Sequence, residues 1–252
     1  MNKPLEGPLQ FFFGTLPQPC PYLPGRRESK VVTELDGARP ALRHDALARA
    51  GFRRSHTLAY KPACLGCNAC VPVRVPVERF RPSRSLKRVW RRNADLDWSE
   101  QPPRATAEQF DLFARYQRSR HADGSMATMD AADYRAMVEE TTVDTILVEF
   151  RDAQGRLVAA ALTDRMGDGL SGVYKFFDPD ESRRGPGTYM VLWHIERARA
   201  LGLAYVYLGY WIADCPKMAY KTRFRPIEAL GPGGWKLFDQ DPGDPGRGAP
   251  LR

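Results

Sequence analysis

At 252 residues, 43% of them hydrophobic and 27% charged, the chain has the size and composition of one large globular domain or two small ones. No apolar run approaches the roughly 18 residues of a membrane span. The opening "MNKPLEGPLQFFFGTLPQPC" breaks its three-Phe block with Gly and Pro, so no signal peptide is expected and the cytoplasm is the expected compartment.

The net charge of +8 is unevenly placed. Fourteen of the 38 Lys and Arg residues lie between Arg39 and Arg92, against only Asp45 and Glu78. This segment therefore carries the whole basic excess, as a polyanion-facing surface would. A solvated basic face is the plainer alternative. Phe52, His56, Tyr60, Phe80 and Trp90 are interleaved with the cations, and planes of that kind stack on unpaired RNA bases. No DNA or membrane partner is expected.

Up to Gln101 the chain is broken by proline, with short alternations such as Val71, Val73, Val75 and Val77. Pro102-Pro103 marks a boundary: residues 1–102 form a basic, cysteine-containing half, 103–238 a second half, and 239–252 ("DPGDPGRGAPLR" above all) a disordered tail. In the second half, Phe110, Phe113 and Ala114 predict a helix over about Thr106 to Arg120. Asp130 caps a second, with Tyr134, Met137 and Val138 inward. "TILVEF", "LVAAALTDRM" and "LSGVYKFFD", joined by short Gly-containing turns, read as an antiparallel meander. Gly185-Pro186-Gly187 opens a helix with Thr188, Val191, Leu192 and Ile195 on one face and Gly202 as its stop. "LAYVYLGYWI" reads as a strand. That order is α+β and matches an N-acetyltransferase (GNAT) fold, an analogy that does not give function.

Three places could carry chemistry. Cys64, Cys67 and Cys70 form C-x2-C-x2-C, a spacing that turns thiolates toward one centre and suits zinc or an iron–sulfur cluster, with Cys20 as the fourth ligand. Three unrelated buried thiols are the alternative. The loop before the Gly185 helix is poorly made for coenzyme A. Ser182 stands where a phosphate-cradling loop wants Arg or Gln, and Pro186 removes a backbone N–H. "CPKMAYKTRFRP" follows the last strand and places Lys217, Tyr220, Lys221, Arg223 and Arg225 beside the expected cleft, able to hold a phosphate, ribose or carboxylate. It could equally be a basic loop that only solvates a strand end. His121 and His194 lack a partner at triad spacing and are given no catalytic role.

"CPYLPGR", "GFRRSHTLAYKPACLGCNACVPVRVPVERFRPSRSLKRVWRRN", "VYKFFDPD" and "YVYLGYWIADCPKMAYKTRFRPIE" resemble the aminoacyl-tRNA–protein transferases, and the compact chain resembles their bacterial leucyl branch. "SRRGPGTY" departs from the Ser-Leu-Gly expected before the helix. The resemblance implies a doubled GNAT-like fold in which the tRNA acceptor end replaces coenzyme A. It also implies leucine transfer from Leu-tRNA to N-terminal Asp or Glu of acceptor proteins, marking them for degradation. No cofactor is required for acyl transfer, because the ester is already activated. On this reading Tyr220 and Lys175 are catalytic, Tyr220 as proton source for the leaving ribose hydroxyl, and a backbone N–H of "GVYKFF" stabilises the oxyanion. Lys217, Lys221 and Arg223 bind substrate, while Arg53, Arg54, His56, Arg88 and Arg91 bind tRNA. A coenzyme A-dependent N-acetyltransferase, an arginyl-tRNA-using member of the same family and a non-enzymatic RNA-binding metal module are the alternatives.

Overall fold

The computed structural model describes residues 10–122 and 124–238, so the expected disordered tail lies outside the described residues. The first hundred residues form short elements: β1 (Phe13–Gly14), β2 (Gln18–Pro19), β3 (Arg27–Glu28), β4 (Lys30–Glu34), α1 (Pro40–Arg49), β5 (Arg53–Ser55), β6 (Leu58–Pro62), β7 (Val71–Pro76), α2 (Arg84–Arg92) and β8 (Asp97–Gln101). The second half supplies α3 (Ala107–Arg120), α4 (Ala131–Glu139), β9 (Thr145–Arg151), β10 (Leu157–Arg165), β11 (Gly169–Phe177), α5 (Pro186–Ala200), β12 (Tyr205–Trp211), β13 (Glu228–Gly231) and β14 (Gly234–Leu237).

Capping explains where the helices begin. Thr106 and Gln109 form a reciprocal capping box at α3, and Asp130 with Asp133 does the same at α4. The meander strands read as unbroken apolar runs because both faces of the sheet are covered. Along β9 and β10, Ile146, Val148, Phe150, Ala159 and Ala161 pack toward α5, whereas Leu147, Ala160 and Leu162 pack toward α3 and α4. This is the two-residue period of a strand seen from both sides.

The main sheet has eight strands in the order β14-β13-β7-β12-β11-β10-β9-β8. All its pairings are antiparallel except β11 with β12. A four-stranded sheet, β1-β4-β6-β5, stands beside it. The two halves of the chain share the main sheet. β7 lies between β12 and β13, and its Val73, Val75 and the following Val77 are buried with Leu192, Ile195 and Val206. The order of elements from β8 through α3, α4, the meander, α5 and β12 is GNAT-like, within a mixed α and β architecture.

A buried ion pair fastens the small sheet to the large one. Arg54 on β5 is 4% exposed and grips Asp164 of β10 with two hydrogen bonds of 2.7 Å. Thr145 donates to the same carboxylate at 2.8 Å, and the His44 ring stands 3.6 Å from it. Burial, and then the Arg54 and Arg53 charges, lower the His44 pKa against the opposing pull of Asp164.

Candidate functional site

The cleft forms where β11 and β12 part. Their parallel pairing covers only Gly169–Ser171 and Tyr205–Tyr207. β11 also bulges against β10, where Gly172 faces Thr163 but Tyr174 faces Leu162, leaving Val173 as the extra residue. β12 bulges against β7 at Leu208. Beyond Ser171, the edge of β11 on the β12 side therefore has no strand partner.

Arg53 enters this gap from β5. Its Nη1 donates to Ser171 Oγ at 2.9 Å and its Nη2 to the Gly172 carbonyl at 2.6 Å. Gly209 makes room for it: the backbone there is left-handed (φ 76°), and a Cβ would stand 3.0 Å from Arg53 Nε. Lys175 approaches Gly172 from the other side. Its Nζ would lie 3.4 Å from a Cβ at Gly172, with the His194 ring also within contact range. Its stem is half-buried and its ammonium is enclosed by protein, so burial and then the Arg53 charge lower its pKa to about 8.

Lys221 completes the group. It is 7% exposed, donates to the Tyr210 carbonyl, and has its pKa lowered to about 7 by burial first, then by Arg53 and Lys175. Among the described residues, no carboxylate pairs with Arg53, Lys175 or Lys221. Beneath Lys175, His194 donates from Nδ1 to the Met190 carbonyl at 2.5 Å and accepts from Thr163 at 2.8 Å through Nε2. Burial, with Lys175 second, lowers its pKa to about 3 and keeps the ring neutral.

The other expected site residues separate into groups. Tyr220 packs edge-on against Phe224, and burial raises its phenol to about 12. Lys217 and Arg223 are exposed on the 3-10 segment Pro216–Arg223, which also carries Tyr220 and the buried Lys221. His56 takes a positive φ of 54° and bonds Ser55 Oγ. Arg88 and Arg91 are exposed on α2 with Arg84 and Lys87, and the charged ends of all four are unpaired among the described residues. Arg54 departs from expectation. Its guanidinium is committed to buried Asp164 and offers nothing to a phosphate.

The loop before α5 is shaped by Gly185 and by the end of α2. Gly185 is left-handed, and its carbonyl accepts from Thr188 and Tyr189 N–H at 3.0 Å. Asn93 at the end of α2 donates to the Arg184 carbonyl at 3.0 Å, so α2 closes over the loop. Sequence reasoning does not single out Ser171, Gly209 or Gln117. Gln117 is 1% exposed, donates to Tyr174 OH at 2.6 Å, and leaves its Oε1 unpartnered. These residues carry no motif, because their roles arise only from strand divergence and helix packing.

The cysteines gather but do not form a preset shell. Gly66, left-handed, makes the turn between Cys64 and Cys67, and Cys64 Sγ bonds the Ser29 backbone at 3.5 and 3.6 Å. Burial raises Cys70 to about 12, helped by Cys64, Cys20 and Cys67, so each of these three lies within electrostatic reach of Cys70. Among the described residues, however, no three His, Cys, Asp or Glu side chains stand together as a metal-holding group.

Two family models match successive parts of the chain. The family model "Arginine-tRNA-protein transferase, N terminus" matches residues 18–88, and "Arginine-tRNA-protein transferase, C terminus" matches residues 108–231. The aspartate/glutamate leucyltransferase of Paramagnetospirillum magneticum is 58% identical over 241 residues, covering 96% of this chain and 98% of that protein. That of Gluconacetobacter diazotrophicus is 54% identical, covering 92% of this chain and 89% of that one. Among solved structures, FemX matches at 11% identity and a TM-score of 0.46, over 78% of this chain and 68% of that chain. Likeness that distant bears on neither activity nor substrate. No described helix is long and apolar enough to cross a membrane. With both family models matched and whole-length relatives above half identity, the chain belongs to the arginine-tRNA-protein transferase family and is an aminoacyltransferase.

Proposed function

We propose that this protein transfers leucine from Leu-tRNA to the N-terminal Asp or Glu of acceptor proteins in the cytoplasm, marking them for degradation. The observation that carries this reading is the whole-length similarity to aspartate/glutamate leucyltransferases, at 58% identity over 96% of the chain. The geometry is consistent with it: the α5 loop is closed by Pro186 and α2, while the cleft is cationic.

The reaction needs a neutral amine and a positioned ester. The acceptor nitrogen bonds to the leucyl carbonyl carbon, the ester C–O bond breaks, and the ribose oxygen leaves with a proton. A backbone N–H on the unpaired edge of β11 beyond Ser171 faces the developing oxyanion. Lys175, with its pKa near 8, takes the proton that the ammonium loses. Tyr220, protonated at neutral pH, gives its proton to the departing ribose oxygen and is reprotonated as the attacking nitrogen loses its second proton. The first half, to about residue 102, binds tRNA through the exposed Arg88 and Arg91 on α2, with Arg84 and Lys87 beside them. His56 adds a ring on the same half, and Arg54 plays no part in RNA binding.

The gathered thiols of Cys20, Cys64, Cys67 and Cys70 support a zinc or iron–sulfur centre that organises the first half and takes no part in acyl transfer. Elemental analysis of anaerobically purified protein tests it, and a metal-free result on folded protein rejects it. For the transfer itself, labelled Leu-tRNA and Arg-tRNA are offered with peptides beginning in Asp, Glu, Arg or Ala. Leucine should reach Asp and Glu peptides without acetyl-CoA. Use of Arg-tRNA alone would assign the arginyl activity instead.

A further inference from the structure

Arg53 and Arg54 are neighbours on β5 with opposite fates. Arg54 points down to a carboxylate, as does the other buried guanidinium among the described residues, Arg74, which meets Glu228 at 2.8 Å. Arg53 points into the gap between β11 and β12 and finds only neutral acceptors, Ser171 Oγ and the Gly172 carbonyl. Lys221 likewise finds only the Tyr210 carbonyl, and Lys175 stands across Gly172 from Arg53. Enclosed cations without a counter-ion are costly to keep. Here three basic side chains converge where β11 and β12 part.

We propose that Arg53 and Lys221 hold the side-chain carboxylate of the acceptor's N-terminal residue, which leaves Lys175 beside them free to take the acceptor's proton. This rests on the leucyl-transfer reading and assigns the part of the site that distinguishes acidic from neutral acceptors. Arg53 spends two of its five N–H donors inside the protein, so a planar carboxylate can be bound by those that remain. Lys221 is only 7% exposed and the Lys175 ammonium is enclosed by protein, so a group that meets Lys221 has to come end-on, as into a dead end. A carboxylate terminates its chain and can enter a dead end. A phosphodiester of the tRNA end continues on both sides and cannot. Exposed Lys217 and Arg223 lie outside this enclosure. The acceptor's amine, only a few bonds from its carboxylate, is then delivered to the free edge of β11 where the ester is attacked.

The test compares peptides that differ only in Glu against Gln at the first position. Wild-type enzyme should prefer Glu in kcat/KM, and Lys221→Met should shrink that preference at least about tenfold while KM for Leu-tRNA holds. Arg53→Met is the second variant and should act in the same direction. Removing an unpaired buried cation should leave the Tm of Lys221→Met unchanged or higher, and the Glu peptide alone should raise the wild-type Tm more than the Gln peptide does. An unchanged Glu/Gln ratio in both variants overturns the proposal. So does a raised KM for Leu-tRNA with the ratio intact, which would assign the cations to RNA phosphate. If wild-type enzyme transfers no leucine, the functional reading fails by itself. The Tm comparison then decides the carboxylate site: Lys221-dependent binding of the Glu peptide upholds it, and equal shifts reject it.

Discussion

Arg54 and Asp164 show how much a single side chain is asked to do. The aspartate is fully buried and receives Arg54 twice, Thr145 once and the His44 edge. Replacing Arg54 alone leaves that carboxylate uncompensated and should cost about 3–5 kcal/mol of stability. Replacing both partners, Arg54→Met with Asp164→Leu, should restore most of the loss. Urea unfolding of the single and double variants checks this, and an Arg54→Met protein of native stability would contradict the ion pair's role. Nothing in "GFRRSH" tells the two arginines apart. A strand turns neighbours to opposite faces, but which face meets an acid depends on Asp164, 110 residues away.

At the scale of elements, α2 is the instructive case. Its sequence "RSLKRVWRR" carries too few apolar residues to announce a helix, and it reads only as part of a basic segment. Ser83 caps it, Leu86 and Val89 bury one side, and Trp90 packs on Tyr189 at 5.3 Å. The remaining face carries Arg84, Lys87, Arg88 and Arg91, spaced three or four apart and so aligned. Reversing Arg88 and Arg91 to Glu should weaken tRNA binding and make the log–log salt slope shallower by about 0.7–0.9 for each phosphate no longer neutralised. An unchanged slope would make the face merely solvated. The meander, α3, α4 and β12 are by contrast legible, because capping boxes open the two helices and a strong apolar period marks helices and strands alike. The helix α5 is only partly so: it is buried nearly all round, beyond the single stripe that Thr188, Val191, Leu192 and Ile195 suggest.

For the whole molecule, the legible half is the one with local periodicity, and the cleft is illegible because it has none. Arg53 reaches Ser171 across 118 positions, and Lys221 joins them from a third region of the chain. The alternation of valines in β7 is visible, but its place between β12 and β13 is not, since Pro72 and Pro76 argue for a strand at an edge. That placement governs how the chain is made. β7 leaves the ribosome early, yet its neighbours begin at Tyr205 and Glu228. Until those arrive, Val73 and Val75 have no sheet to enter and no core to fill. Synthesis must therefore carry an exposed, sticky strand through more than half of translation, and the pairing that finishes the fold is also its longest-range one.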